Sequence, residues 1–312
     1  MAEQTLPVMT EALLAAGEPL AGGEILRLRT GAVEWLAFNR PGALNAMTHA
    51  MEAAMTAAFR RLNADPDLRA LVLTGLSGAK PSFMAGGDMG DLGAVATPED
   101  VLATERQAEE VTTALEAIGV PTVAAMAGPC IGMGALIAAA CDVRIAAPSL
   151  RFGFPIARTV GNCLSALNFA RLTGLIGPAR TKEMVFSTRL LSAGALMEAG
   201  ALREVTADDA ALLPRARAIA EEMAALAPLT LKGTKEILRR MRDAAIRGVQ
   251  DEDVLMACYG SEDYHTAIAA FTTRQRPVFK GRSSRAGGEY AGTGPGHRRG
   301  RPVPAPAALA RE

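Results

Sequence analysis

Short apolar runs alternate with longer amphipathic ones over most of this chain. Residues 24–29 and 33–39 read as strands, and Arg40-Pro41-Gly42 breaks the second. Residues 47–62 follow with helical spacing, placing Met51, Met55, Phe59 and Leu62 on one face. The run 71–74 predicts a short buried strand before a Gly- and Ser-rich loop, and 98–118 predicts a helix. Next come a strand over 122–126, a loop with glycines at 128, 132 and 134, an apolar helix, and a strand over 143–146. Strands that alternate with helices in this way predict an α/β fold with crossover connections. From Ser192 onward the pattern is mostly helical. No internal repeat stands out.

Composition narrows the classes. A chain of 312 residues that is 49% apolar can bury a large core. Its 33 Lys and Arg balance 33 Asp and Glu, so no electrostatic footprint points to nucleic acid or a membrane surface. The longest apolar run, 120–141, is interrupted by Pro121, Gly128, Pro129, Gly132 and Gly134, and so reads as strand, loop and buried helix rather than a membrane span. Cys130, Cys141, Cys163 and Cys258 have no metal-ligand spacing. With no signal peptide apparent, they read as reduced thiols of a cytoplasmic protein, and no metal is expected. The Gly-, Pro- and Arg-rich residues 283–312 predict a disordered tail, and the Ala-rich residues 1–23 a loosely folded N-terminal extension.

Two glycine loops carry candidate chemistry, Ser82-Phe-Met-Ala-Gly-Gly-Asp88 and Gly128-Pro-Cys-Ile-Gly-Met-Gly134. Each follows a strand and enters a helix or turn. One backbone N–H from each, aimed at a single oxygen, would form an oxyanion hole, where one donor contributes about 3–4 kcal/mol to a transition state. Glycines at such turns equally serve turn geometry alone, so the local pattern leaves both readings open. Neither a dinucleotide GxGxxG with its distal acid nor a P-loop Gly-Lys-Ser/Thr is present.

The loops belong to a longer ordered series: Asn39-Arg-Pro-Gly-Ala-Leu-Asn-Ala46, Phe83-Met-Ala-Gly-Gly-Asp88, Gly128-Pro-Cys-Ile-Gly-Met-Gly134, Cys141-Asp142, Phe152-Gly-Phe-Pro155, Ala227-Pro-Leu-Thr-Leu-Lys232 and Arg276-Pro-Val-Phe-Lys280. Over roughly residues 24–282 this resembles the crotonase superfamily, the enoyl-CoA hydratase/isomerase family. The resemblance implies a crotonase-like ββα spiral over 24–200 and a helical C-terminal oligomerisation region over 201–282, assembled as a homotrimer or a dimer of trimers. It also implies an acyl-CoA thioester as substrate, whose CoA portion takes the place of any separate cofactor.

Carried over position by position, the resemblance places the oxyanion donors at the N–H groups of Gly87 and Met133, with Gly134 as the fallback for the second. The family's usual residue at the second position is Gly. Arg40, Ala43, Ala85, Asp88, Phe279 and Lys280 fall where the CoA portion is held, and Phe271 where the site is closed. The two hydratase glutamates fall at Leu136 and Ile156, both aliphatic. Between 117 and 182 the only acid is Asp142, and there is no His. Standard two-glutamate hydration is therefore not expected, because one group must deliver each proton while another receives it. Candidates for the missing group are Glu105 and Glu109 on one helix face, and Arg158, Thr159, Asn162 and Cys163 in the segment replacing the second glutamate's loop. For each, a loop cap or solvated face is the plainer role; Asp88, His49 and His265 read as bracing or surface residues. The implied function is an enoyl-CoA hydratase/isomerase-like lyase or isomerase of altered chemistry. The alternatives are a weakly active or non-catalytic CoA-thioester binder and a scaffold homologue.

Overall fold

In the computed structural model, residues 8–93, 97–273 and 275–282 are described. The expected tail, 283–312, lies outside them. The chain begins with helix α1 (Glu11–Ala15) and strand β1 (Glu18–Leu20), then the hairpin strands β2 (Ile25–Thr30) and β3 (Val33–Phe38). β1 pairs antiparallel with β2, and Met9 and Leu14 are buried in the core beside Trp35, so residues 8–23 pack against the body. Helix α2 (His49–Asn63) buries Met51, Met55, Phe59 and Leu62, the face that its spacing predicts. Thr48 caps it by accepting from the Met51 N–H at 3.1 Å.

Three strand–strand–helix units follow. In the first, β4 (Ala70–Gly75) leads to β5 (Met84–Ala85), then to α3 (Met89–Leu92) and α4 (Pro98–Glu116). In the second, β6 (Thr122–Met126) leads to β7 (Pro129–Ile131) and α5 (Met133–Ala140). In the third, β8 (Val143–Ala146) leads to β9 (Arg151–Gly153), α6 (Ile156–Thr159) and α7 (Ala166–Ser187). The first strands of the units run parallel in a main sheet of order β1-β2-β3-β4-β6-β8, and the short second strands run parallel in a second sheet of order β9-β7-β5. This is the expected ββα spiral. After α7 come β10 (Leu191–Ser192), α8 (Ala193–Glu198) and β11 (Glu204–Val205). β10 extends the second sheet beyond β9, and β11 adds a parallel strand to the main sheet beside β8. The helices α9 (Leu212–Ala224), α10 (Pro228–Ala245), α11 (Glu252–Tyr259) and α12 (Glu262–Thr272) complete the described chain.

One core cluster lies between the main sheet and α2, α4, α5 and α7; a second joins the sheet's other side to α1 and α9. Past residue 200, β11 and α9 belong to the sheet and its cover. The C-terminal end of the wholly apolar α5 is held by Arg144, whose Nη1 donates to the carbonyls of Ala138, at 3.1 Å, and Cys141. Those carbonyls have no partner within the helix, and a cation is favoured at that end. No helix among the described residues is long and apolar enough to cross a membrane.

Candidate active site

The second sheet brings the glycine loops together. β5 and β7 pair with Met84 opposite Cys130 and Ala85 opposite Ile131. Carried two residues further, the parallel register sets Gly86 opposite Gly132 and Gly87 opposite Met133. Gly86 (φ +103°) and Gly132 (φ +54°) turn both chains at the same level through conformations that disfavour a side chain. They also lie close together, since a Cβ on Gly132 would stand 3.3 Å from the Gly86 Cα.

Beyond this turn both chains offer a donor. The loop around Gly87 is fixed on either side: the Met47 N–H donates to Gly86 O at 2.8 Å and the Asp88 N–H to Met47 O at 2.7 Å. The Gly87 N–H between them has no acceptor among the described residues. Met133 is the first residue of α5, where an N–H has no carbonyl four residues back in the helix. Gly134 has a different use, because a Cβ there would come 2.5 Å from Met84 O; its bareness lets α5 pack on β5.

Around this pair the walls are apolar. Met133, Leu136 and Ile156 are all buried in the main core cluster with Met84, Phe154 and Leu164. Leu136 is only 4% exposed. The positions that the resemblance assigns to glutamates thus belong to packed hydrocarbon.

Titratable groups of α4 meet residues of α11 and of the loop after α6. Glu105 on α4 is 9% exposed and takes a hydrogen bond from the Tyr259 hydroxyl of α11. Burial pushes its carboxyl up to about 7, aided by the charges of Glu109 and Asp251 and opposed by the Tyr259 bond. Asn162 Nδ2 in turn donates to the Tyr259 oxygen at 2.9 Å. Glu109 accepts from the Ser165 hydroxyl. The Cys163 thiol lies against that of Cys258; the bond between them lowers Cys163 to about 7 and raises Cys258. Glu52 on α2 is another carboxyl raised to about 7, by burial and by the nearby charges of Asp91 and Glu105.

Of the sequence candidates, the fold thus brings Glu105 and Asn162 into one network. Arg158 and Thr159 are exposed on α6, and Thr159 Oγ1 caps its own turn by donating to Pro155 O at 3.0 Å. Sequence reasoning missed Tyr259 and Glu52. No spacing signalled Tyr259, which lies 154 positions from Glu105. Helical periodicity could have marked Glu52, one residue past the apolar stripe of α2, only as a flank.

The residues expected around CoA have local duties. Arg40 donates to Asp88 at 3.0 Å and to Ala46 O at 2.5 Å, and pairs with Glu24 at 2.9 Å, so its guanidinium braces the first loop. Asp88 also caps α3 by accepting from the Gly90 N–H at 2.8 Å. Burial works upward on its carboxyl, but that bond and Arg40 outweigh it and hold Asp88 below the usual range. Ala43 is exposed in the turn after Arg40, and the Ala85 N–H donates to Leu44 O at 3.0 Å. Phe279 packs on its own chain, 3.5 Å from where a Gly161 Cβ would lie. The Lys280 N–H is held by Asp263 at 2.6 Å while its side chain is exposed, as is Phe271. His49 and His265 are at the surface. Glu116, by contrast, is held between Arg171 and Arg242 with its side chain 11% exposed.

Comparison with known proteins identifies the family. The family model described as enoyl-CoA hydratase/isomerase matches residues 29–282. The chain is 29% identical over 262 residues to the 2,3-dehydroadipyl-CoA hydratase of Escherichia coli (strain K12), covering 83% of this chain and 99% of that one. It is 31% identical over 262 residues to the probable enoyl-CoA hydratase echA8 of Mycobacterium bovis, covering 82% and 97%. Among solved structures, an enoyl-CoA hydratase/isomerase from Pseudoalteromonas atlantica T6c superposes with a TM-score of 0.70 at 28% identity, over 82% of this chain and all of the other.

Proposed function

The chain belongs to the enoyl-CoA hydratase/isomerase family, and we propose that it holds the thioester oxygen of an acyl-CoA on the Gly87 and Met133 N–H groups while Glu105 moves the proton. As negative charge develops on that oxygen, two fixed donors stabilise it more than they stabilise the neutral thioester, which lowers the barrier to enolate formation. A carboxyl titrating near 7 is divided between acid and base at neutral pH, so Glu105 can take a proton from the carbon beside the thioester and return it. The observation that carries this reading is the contrast between the apolar Leu136 and Ile156 and the buried, titratable Glu105. One carboxyl with an oxyanion hole suits isomerisation, decarboxylation, C–C cleavage or hydrolysis better than addition of water. The setting is the cytoplasm, with thiols reduced.

The test is a panel of enoyl-, β-keto-, β-hydroxy- and dicarboxylic acyl-CoAs, with binding and product mass read together and isomers resolved by chromatography. Hydration of crotonyl-CoA is expected to run far below a typical enzyme rate of about 10 s⁻¹, while another panel member gives free CoA, loses CO₂ or isomerises. Hydration at the typical rate would overturn the altered chemistry. Binding with no product from any member would favour a non-catalytic thioester binder.

Self-association is part of the same reading. α10 has no buried residue and presents Leu229, Ile237, Leu238 and Met241, each at least 60% exposed, on an amphipathic helix. Its polar side is tethered to the body by Lys235 on Asp142 at 2.6 Å and by Arg242 on Glu116. A stripe of this kind in water marks an interface, here between copies of the chain. Light scattering should give a trimer or hexamer for the wild type and a folded monomer for the Ile237→Asp/Met241→Asp double variant. A wild-type monomer would refute the assembly.

A further inference from the structure

The bond between Glu105 and Tyr259 constrains a third residue. A phenol has one proton to give, and that of Tyr259 goes to Glu105. Only a lone pair is left for Asn162, which meets it with Nδ2. While Glu105 is ionised, the direction of the carboxamide is thereby fixed, with its NH₂ end on Tyr259 and Oδ1 facing away. Turned over, Oδ1 would face an oxygen whose proton is already committed.

Oδ1 of Asn162 is buried and has no hydrogen-bond partner among the described residues. Leaving a buried acceptor unmet is costly, and the groups that stay so in a native fold call for an explanation. The neighbouring hydroxyls are engaged elsewhere: Ser165 gives its proton to Glu109, and Tyr264, packed on Tyr259 at 4.9 Å, gives its own to Leu92 O at 3.0 Å. Val101, Val160 and Leu255 pack in one apolar cluster with Tyr259 and Tyr264.

This acceptor also stands in a definite relation to the oxyanion pair. The Leu92 side chain is what a Cβ on Gly87 would meet, at 3.6 Å. Leu92 holds Tyr264, and Tyr264 packs on Tyr259. A chain of contacts through Tyr259, Tyr264 and Leu92 thus joins Asn162 to the Gly87 loop.

We propose that Asn162 is a specificity-determining residue, whose Oδ1 receives an O–H or N–H donor carried on the acyl group beyond its β-carbon, and that Tyr259 is the positioning residue that aims it. The proposal rests on the acyl-CoA reading above. A site built to hydrogen-bond such a donor discriminates strongly against the analogue that lacks it, because its own buried group is then left unpaired.

The test is calorimetric binding of butyryl-CoA and valeryl-CoA against 4-hydroxybutyryl-CoA and 5-hydroxyvaleryl-CoA. The wild type is expected to bind at least one hydroxylated probe about 10-fold or more tightly than its unsubstituted partner, a preference of about 1.4 kcal/mol. Asn162→Leu should bring the pair to parity without weakening the unsubstituted probe. Tyr259→Phe should do the same, since it frees the carboxamide to turn; should either variant fail to fold, the other decides. A general structural role would weaken all probes together and leave the ratio unmoved. Equal binding of each pair by the wild type, as expected if a water alone serves Oδ1, overturns the proposal. So does a preference that survives in the folded variants. Failure of every probe to bind would instead bring down the acyl-CoA reading, and this proposal with it.

Discussion

Glu105→Gln is expected to lower turnover of the acyl-CoA found by the panel by about 10²–10⁴-fold, the range spanned by a positioned general acid–base group, with acyl-CoA affinity preserved. The same substitution should stabilise the protein at alkaline pH. Glu105 titrates at about 7 in the fold against 4.5 for a free carboxyl, chiefly because burial penalises its charge. The native state therefore holds this proton more tightly than the unfolded state does. Its advantage is complete below pH 4.5, declines as pH rises through about 7, and is gone above that. The difference corresponds to on the order of 3 kcal/mol. Glutamine keeps an oxygen for the Tyr259 proton and never ionises, so the variant should melt higher than wild type at pH 8 and alike at pH 4. Glu110→Gln is the proper comparator, because Glu110 is half exposed and pairs with Arg60 at the surface. It should move neither turnover nor melting. Glu116 would mislead, since removing it strands two arginines, one of them buried. Unchanged turnover in Glu105→Gln would remove Glu105 as proton carrier, whatever its effect on melting.

Met133→Pro should lower kcat by about 10²–10³-fold, the cost of one oxyanion donor. Position 133 opens α5, and the first position of a helix is where proline is tolerated, since its missing N–H would have had no helical partner. The substitution thus deletes one donor and spares the helix. Met133→Ala keeps the N–H and removes only part of the apolar wall, so it should retain most of kcat. Far-ultraviolet circular dichroism of both variants should match wild type. A Met133→Pro enzyme as active as Met133→Ala would show that the second donor lies elsewhere, with Gly134 the next candidate.

Much of this was legible in the sequence, for definite reasons. The main-sheet strands and α2 are regular elements half buried against one core, so their apolar positions keep a single period, and Met51, Met55, Phe59 and Leu62 are buried as that period requires. The ordered motifs placed both glycine loops. The strands β5, β7 and β9 are two or three residues long, too short to show any period, so the second sheet that joins the loops was not visible. α7 was missed for another reason. It carries Gly177 at φ +78° and Pro178 inside its span, and both read locally as helix breakers. The network of Glu105, Tyr259 and Asn162 is assembled by the packing of α11 on α4 and the loop after α6. Its bonds span 154 and 97 positions, distances at which no local pattern survives. The ion pairs of Arg40 with Glu24 and Asp88 were not legible, because a basic residue beside a CoA-type motif looks the same whether its charge is free or already met.

The most direct test of the central claim is a crystal structure of the protein with bound butyryl-CoA. The account predicts the thioester carbonyl oxygen within about 2.7–3.1 Å of both the Gly87 and the Met133 nitrogens, the separation of working oxyanion donors. A thioester bound with its oxygen turned away from these two N–H groups, or seated elsewhere on the molecule, would contradict it.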